Sequence, residues 1–450
     1  MVDDKIKLIV EAARDSIVKN LATLVMMPSR TGEEGKAQEY VASQYRGLGL
    51  DLDIWEPDIK ELFKKYPDVA QYPSNWEHDL ILPYKDLPTF EAWTASGKTD
   101  VLNYKDRPNV VGIWKGSGGG KSLILNSHID TVTIEPASDW SYDPFGAESK
   151  DGIMYGRGTS DCKGGIIAAI EAVRCLQRLG IRLRGDVILE SVVNEEHAGN
   201  GTLACIAKGY VADAVISGEP SDNQIRVGSC GGVYWGIKLA GRVLHTKGRW
   251  EGDILRGVSA IEKLAVVINA LLELEAEQNK MTVNDVYRGM KPFSITMGRV
   301  WGGAYDTASA AACTLRGSVY FGPDVGSVGN VMSQIQKHVV ESAQRDPWLR
   351  EHPPEILFYH HDDAHWMDPG TEIVQVIQQA GERVLGHKPT VVAGMSANDC
   401  RHQANQGKMA AAVFGPGTGN QAHTINESIR INDLIHNIEV LATAIYQWSQ

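Results

Sequence analysis

Five short segments of this 450-residue chain carry side chains able to bind a metal cation. His128 and Asp130 follow the apolar run SLILNS, Glu195 and Glu196 follow DVILESVV, Glu219 follows ADAVIS, and His423 follows MAAAVFG after a Gly-rich loop. Asp161 lies in the turn YGRGTSDCKGG, directly before a long apolar segment. Read singly, each has an ordinary alternative: an HxD pair is commonly a hydrogen-bonded histidine, an EE pair a solvated helix start, and Asp161 a helix cap. Their shared position after successive apolar runs sets them apart, because ligands of open α/β sheets bind just beyond the carboxyl ends of the strands.

Two imidazoles with several carboxylates form a donor set of nitrogen and oxygen alone. It suits zinc, with manganese or cobalt as the other fitting ions. The spacing is too wide for a local zinc finger and fits a site assembled from several strand ends. Two divalent ions side by side need one carboxylate that touches both. Asp161 is the natural bridge, since flanking glycines let the backbone approach closely.

The elements that must position these groups read as α/β. NVVGIW, SLILNS, DVILESVV and ADAVIS are strand-like, and GGIIAAIEAVRCLQRLG is apolar at helical spacing and stopped by Gly180. Continuous apolar strands alternating with helices predict a mostly parallel sheet covered by helices on both faces. Upstream, one helix is expected over 3–27 and a second, capped by Thr31, ending at the glycines near 47 and 49. A Pro-, Trp- and charge-rich stretch at 56–107 shows little periodicity and reads as an insertion. From about residue 230 the order becomes βαββαβ, the arrangement of a small ferredoxin-like sandwich. After about 365 the α/β pattern resumes with a helix near 370–385. The expectation is a catalytic domain in two pieces, 1–229 and 365–450, with a smaller domain inserted at 230–364.

Net charge is −12, with both signs interspersed, which argues against nucleic acid or an anionic membrane as partner. No apolar run has the length of a membrane span. The acidic, amphipathic N-terminus lacks the basic start and cleavage site of a signal peptide. Six scattered cysteines without a CxxC pair fit a reducing compartment, so a cytoplasmic protein is expected.

The segments LILNSHIDTV, DGIMYGRGTSDCKGG, VVNEEHAGNGT, ISGEP and VFGPGTGNQAHTINE, in this order, resemble the metallopeptidase family of acetylornithine deacetylase, succinyl-diaminopimelate desuccinylase, aminoacylase and glutamate carboxypeptidase. The resemblance covers nearly the whole chain. It implies that His128 and Glu219 bind one metal ion, that Glu196 and His423 bind the other, and that Asp161 bridges them. It further implies that Asp130 orients the first histidine and that Glu195 is the general base for an attacking water. The inserted domain would be a lid that carries a dimerisation surface. His245, in GRVLHTKGRWEG, would reach an active site, often that of the partner subunit, to stabilise the oxyanion.

The lid departs from the family pattern. Where an Asn and an Arg usually grip the substrate, WGGAYDTASAAACTLRGSVYF has Thr307, Ala310, Ser318 and Tyr320. The guanidinium that clamps a substrate carboxylate is absent there, with Arg299 or Arg288 as possible substitutes. Tyr320 offers an aromatic face and one hydroxyl. Cys162, beside the bridging position, reads as packing. The expected activity is amide hydrolysis of a small molecule, deacylase- or desuccinylase-like. The alternative is hydrolysis of an aromatic amide, a urea or an aryl amine at the same site. A metal-binding homologue without catalysis is disfavoured by the intact set of ligands and base, and an exopeptidase would need a terminus-recognising feature that the sequence does not display.

Overall fold

The computed structural model describes residues 2–71, 90–95, 102–287 and 289–450; part of the 56–107 stretch and all of Arg288 lie outside the described residues. SLILNS forms the strand Leu123–His128, in which every residue is buried. Such a strand needs cover on both faces, and it has it. Leu123 and Leu125 join one core with the helices Val2–Ala12, Arg14–Val25, Gly164–Arg178 and Ile431–Trp448. Ile124 points the other way, into a core shared with the helices Asn200–Lys208 and Cys400–Asn405.

The strands Val187–Val192, Ala214–Pro220 and Ala410–Gly415 run parallel to this one, in the spatial order 187–192, 123–128, 214–220, 410–415. Asp51–Trp55 and Asn109–Trp114 extend one side antiparallel, and the short strands Ile225–Arg226 and Val391–Val392 extend the other. Because the four central strands point the same way, His128, the turn with Glu195 and Glu196, Glu219 and the loop leading to His423 all emerge at one edge of the sheet.

The second sheet lies between Gly231 and Asp362, with strands Ser294–Gly302, Ala312–Phe321, Gly231–Ala240 and Glu355–Asp362 side by side and all antiparallel. Val233, Trp235, Ile237 and Leu239 alternate onto one face, where the helices Ala260–Lys280 and Val328–Arg345 bury them in a core of their own. The opposite face carries Gly232, Tyr234, Tyr320, His360 and Asp362 and is turned toward the first sheet's carboxyl edge. No helix among the described residues is long and apolar enough to cross a membrane.

Two local expectations change. The N-terminal segment is two helices, Val2–Ala12 and Arg14–Val25, interrupted at Ala13, whose N–H is shared between the carbonyls of Ile9 and Val10. Thr31 does not cap the next helix, Gly35–Gly47. Its hydroxyl donates to Asp130 Oδ2 at 2.8 Å, a stronger demand because that carboxylate is fully buried.

Behind the sheet edge, Arg107 donates from Nε and Nη2 to the two carboxylate oxygens of Glu34, both at 2.7 Å. This bidentate pair is buried and fastens the end of the 102–107 segment to the start of the Gly35–Gly47 helix. Removing one partner strands the other charge in a low dielectric, whereas replacing both with apolar groups does not. Arg107→Met is therefore expected to lower stability by about 3–5 kcal/mol, measured by urea unfolding. Adding Glu34→Leu should recover more than half of that loss.

Candidate metal centre

His128 ends its strand with Nδ1 2.9 Å from the backbone carbonyl of Asp130. A carbonyl only accepts, so Nδ1 carries a proton, and Nε2 is the ring nitrogen turned outward. Nε2 faces two carboxylates, Asp161 Oδ1 at 2.9 Å and Glu219 Oε1 at 3.3 Å. On the other side of Asp161, Oδ2 lies 3.4 Å from His423 Nε2, which is 2.8 Å from Glu196 Oε2. The two oxygens of Asp161 thus look toward two different imidazoles, each with its own further carboxylate.

Asp130 does two jobs here. Its carbonyl takes the histidine's hydrogen bond, while its side chain stands farther off, Oδ1 at 3.7 Å from Nδ1. The carboxylate instead accepts the backbone N–H groups of Glu195 at 3.1 Å and Glu196 at 3.2 Å. It orients His128 through the backbone and fixes the turn that presents both glutamates.

The turn carrying Asp161 is held by Glu427. This buried carboxylate accepts from Arg157 Nη1 at 2.8 Å and from the N–H groups of Gly158, Ser160 and Asp161 at 3.0, 2.9 and 3.0 Å. Gly158 adopts φ 86°, and a Cβ there would stand 2.9 Å from Thr131 Cγ2, so glycine is needed both for conformation and for space. His423 also sits in the left-handed region, at φ 60°. It reaches the cluster from an otherwise open loop, with about half its side chain exposed (53%).

The donor set fits divalent cations. Nε2 of His128 and Nε2 of His423 each stand against two carboxylates, where a divalent cation can take the place of a proton, and Glu196 Oε1 is buried without a hydrogen-bond partner. Burial, with the carboxylate of Glu219 adding to it, pushes Glu195 well above the usual carboxylate range. Burial likewise raises Glu196 to about 7 against the pull of His423. A cation among these groups relieves that crowding. Cys162 is buried, with its sulfur within 4.8 Å of donor atoms of His128 and Glu219.

Glu195, Glu196 and His423 line a cavity of about 390 Å³ whose other walls are His197, Tyr234, Tyr320, His360, Asp362, Ser396, Ala397 and Arg401. That volume suits a small molecule. Tyr320 is in it; His245, Thr307 and Arg299 do not line it. His245 and Thr307 are exposed together on the inserted segment, where residues 245 and 308 form a bridge, and Arg299 borders a separate depression shared with Tyr234 and Arg316.

Residues 124–447 match the model of peptidase family M20/M25/M40. The chain belongs to this family. It is 31% identical over 364 residues to the N-formyl-4-amino-5-aminomethyl-2-methylpyrimidine deformylase of Halalkalibacterium halodurans, covering 77% of this chain and 84% of that protein. It is 32% identical to the deformylase of the same description from Bacillus subtilis, covering 81% of this chain and 90% of that protein. Among solved structures it shares its fold with the dipeptidase Dug1p of Saccharomyces cerevisiae, with TM-score 0.70, 16% identity and coverage of 99% and 98%. The M20-family chain is on this footing a metal-dependent amidohydrolase, with a mostly parallel α/β sheet and the inserted antiparallel sheet that the sequence implies.

Arg401 and Asp362 went unnoticed in the sequence. A guanidinium does line the cavity, from the short helix Cys400–Asn405 and not from the inserted segment, and its Nη2 lies 3.1 Å from Asp362 Oδ1. The charged runs HHDD and DCRH, each beside an apolar segment, were the available signal.

Glu427 does not itself line the cavity, yet it fixes the backbone of Asp161. Glu427→Gln turns one acceptor oxygen into a donor that faces Arg157 and the N–H groups of the turn. The expected result is a 10- to 100-fold loss of metal affinity, measured by titrating metal into chelator-treated protein, with the variant still folded by circular dichroism.

Proposed function

We propose that this M20-family chain hydrolyses a small N-acyl amide whose amine part is a flat heteroaromatic ring, using two divalent ions, zinc foremost. His128 and Glu219 would hold one ion, Glu196 and His423 the other, and Asp161 both. When bound, the ions supply Lewis acidity toward the amide carbonyl and lower the pKa of a water. Glu195 takes a proton from the attacking water and returns it to the amine nitrogen as the C–N bond breaks, leaving a carboxylate and a free amine. Its crowded, half-buried carboxylate is a good proton acceptor, and once protonated it is an acid of matching strength.

One observation carries the substrate reading: the cavity lined by Glu195 is also lined by Tyr234 and Tyr320, and the only guanidinium lining it among the described residues, Arg401, is already paired with Asp362. Two relatives above 30% identity are deformylases of an aminopyrimidine, which supports the same class. The 231–362 segment is proposed as a lid domain and as the dimer surface. Its edge strand Ser294–Gly302 leaves Val300 and Trp301 exposed, with Tyr305 just beyond. Exposed apolar edges of this kind are pairing surfaces. A homodimer would let the exposed His245 serve its partner's cavity. Six buried free cysteines support a cytoplasmic location.

Three outcomes check this reading. The N-formyl aminomethylpyrimidine should turn over with higher kcat/KM than N-acetyl or N-succinyl amino acids; the reverse order would replace the substrate class. Glu195→Ala should lower kcat by about 10²- to 10⁴-fold with metal content by mass spectrometry unchanged. Mixing inactive Glu195→Ala with inactive His245→Ala should restore up to about a quarter of wild-type activity through heterodimers, because each mixed dimer assembles one intact site. No recovery, with subunit exchange verified, would confine His245 to its own chain.

A further inference from the structure

On the open face of the inserted sheet, Gly232 stands directly between two cross-strand partners, Tyr320 on one neighbouring strand and Asp362 on the other. Tyr234, two residues along the same strand, shares this face and is flanked by Ser318 and His360. A Cβ built on Gly232 would lie 3.7 Å from Tyr234 Cε2, 3.7 Å from Tyr320 Cε1 and 3.8 Å from Asp362 Oδ2. The missing side chain therefore leaves a shallow floor at the point where two aromatic rings and a carboxylate converge. Tyr234 and Tyr320 are joined through their hydroxyls at 3.4 Å, and the Tyr234 ring meets the His360 ring edge-on with centroids 5.2 Å apart. The floor's neighbours line the same cavity as Glu195, Glu196 and His423.

The two oxygens of Asp362 are unequal. Oδ1 is taken by Arg401 Nη2 at 3.1 Å, and Oδ2, the oxygen beside the glycine floor, faces His360 Nε2 at 3.5 Å and, with two lone pairs, can accept from a second donor. Burial works against the anion, but Arg401 and then His360 hold Asp362 below the usual carboxylate range. An anionic acceptor on one side of a flat floor, with tyrosine on the other, is a receptor for a planar ring that bears an N–H donor on one edge.

We propose that Gly232, Tyr320 and Asp362 form the specificity slot for the amine half of the substrate, with an amino-substituted heteroaromatic ring lying over Gly232 and its exocyclic N–H groups donating to Asp362 Oδ2. This rests on the aromatic-amide reading above and adds which residues read the ring and which substituent they read. Asp362 acts by recognition and takes no part in the proton transfers at the amide.

The test uses three formamides with the full-length, metal-loaded protein: the aminopyrimidine compound, N-formylbenzylamine without the amino group, and N-formylethylamine without a ring. In Asp362→Asn the preference for the aminopyrimidine over the benzyl compound should fall at least about tenfold, chiefly through KM, because an acceptor built for an N–H loses its charge. In Gly232→Ala the added methyl makes only ordinary contacts, so the fold is kept, and the preference for either aromatic compound over the ethyl one should fall by a similar factor. Calorimetry of the free aminopyrimidine amine, with and without metal, should show the same weakening in both variants. If the wild type turns over aromatic formamides well and neither variant changes these ratios, the slot is wrong while the aromatic-amide reading stands. If the wild type prefers amino-acid amides throughout, the reading beneath it fails first.

Discussion

Glu427 is not among the residues that line the cavity, yet its fully buried carboxylate accepts four hydrogen bonds from the turn that carries Asp161. A buried charge is tolerated only when its lone pairs are satisfied, and here the satisfaction comes from three consecutive-turn N–H groups and one guanidinium. The interaction works in both directions. The turn solvates Glu427, and Glu427 fixes the backbone so that the two oxygens of Asp161 face His128 and His423 separately. Because Glu427 follows His423 by only four residues, the same anchor bounds the loop that brings the second imidazole in.

The remaining donors need less individual support because topology supplies it. Four neighbouring parallel strands end at one edge, so groups more than 290 residues apart in sequence, His128 and His423, meet at a common carboxylate. Asp130 links two of these strand ends, taking its hydrogen bonds from the backbone of Glu195 and Glu196 while its carbonyl fixes the tautomer of His128. Two carboxylates of this network, Asp130 and Glu427, have full sets of backbone and side-chain donors and act as its fixed points. The exception is the inward side, where Glu196 Oε1 is without a hydrogen-bond partner and the two imidazoles face carboxylates, a set that divalent cations would complete.

Much of this was legible in the sequence because strand ends leave a local mark: a continuous apolar run, then a short polar residue or two. His128, Glu195, Glu196 and Glu219 were found by that mark, and Asp161 by the glycines around it. The order of elements in the 231–362 segment was legible for a similar reason, since strand and helix periods alternate cleanly. What the sequence did not disclose depends on register between distant strands. Nothing in GGVYW marks Gly232 as lying between Tyr320 and Asp362, because those neighbours are 88 and 130 residues away. Thr31 was assigned to a helix it precedes, whereas its hydroxyl answers a buried carboxylate 99 residues on. Arg401 escaped because a charged residue in a short helix carries no signal of which wall it joins.

The pairing of Arg401 with Asp362 bears on which substrates the cavity can accept. A lone guanidinium there would attract a substrate carboxylate, the feature common to N-acyl amino acids. With Asp362 3.1 Å from it, the pair presents no net charge, and a second carboxylate drawn to Arg401 would come close to Asp362 as well. At a separation of about 4 Å and an effective dielectric near 20, that repulsion is about 4 kcal/mol, enough to cancel the attraction to Arg401 at a like distance. A neutral or cationic ring with N–H donors meets no such penalty. It gains the acceptor that Asp362 already holds in place. On the proposed reading, the ion pair would favour an N–H-bearing ring by attraction and disfavour a carboxylate by repulsion, without any change to the groups proposed to carry out the hydrolysis.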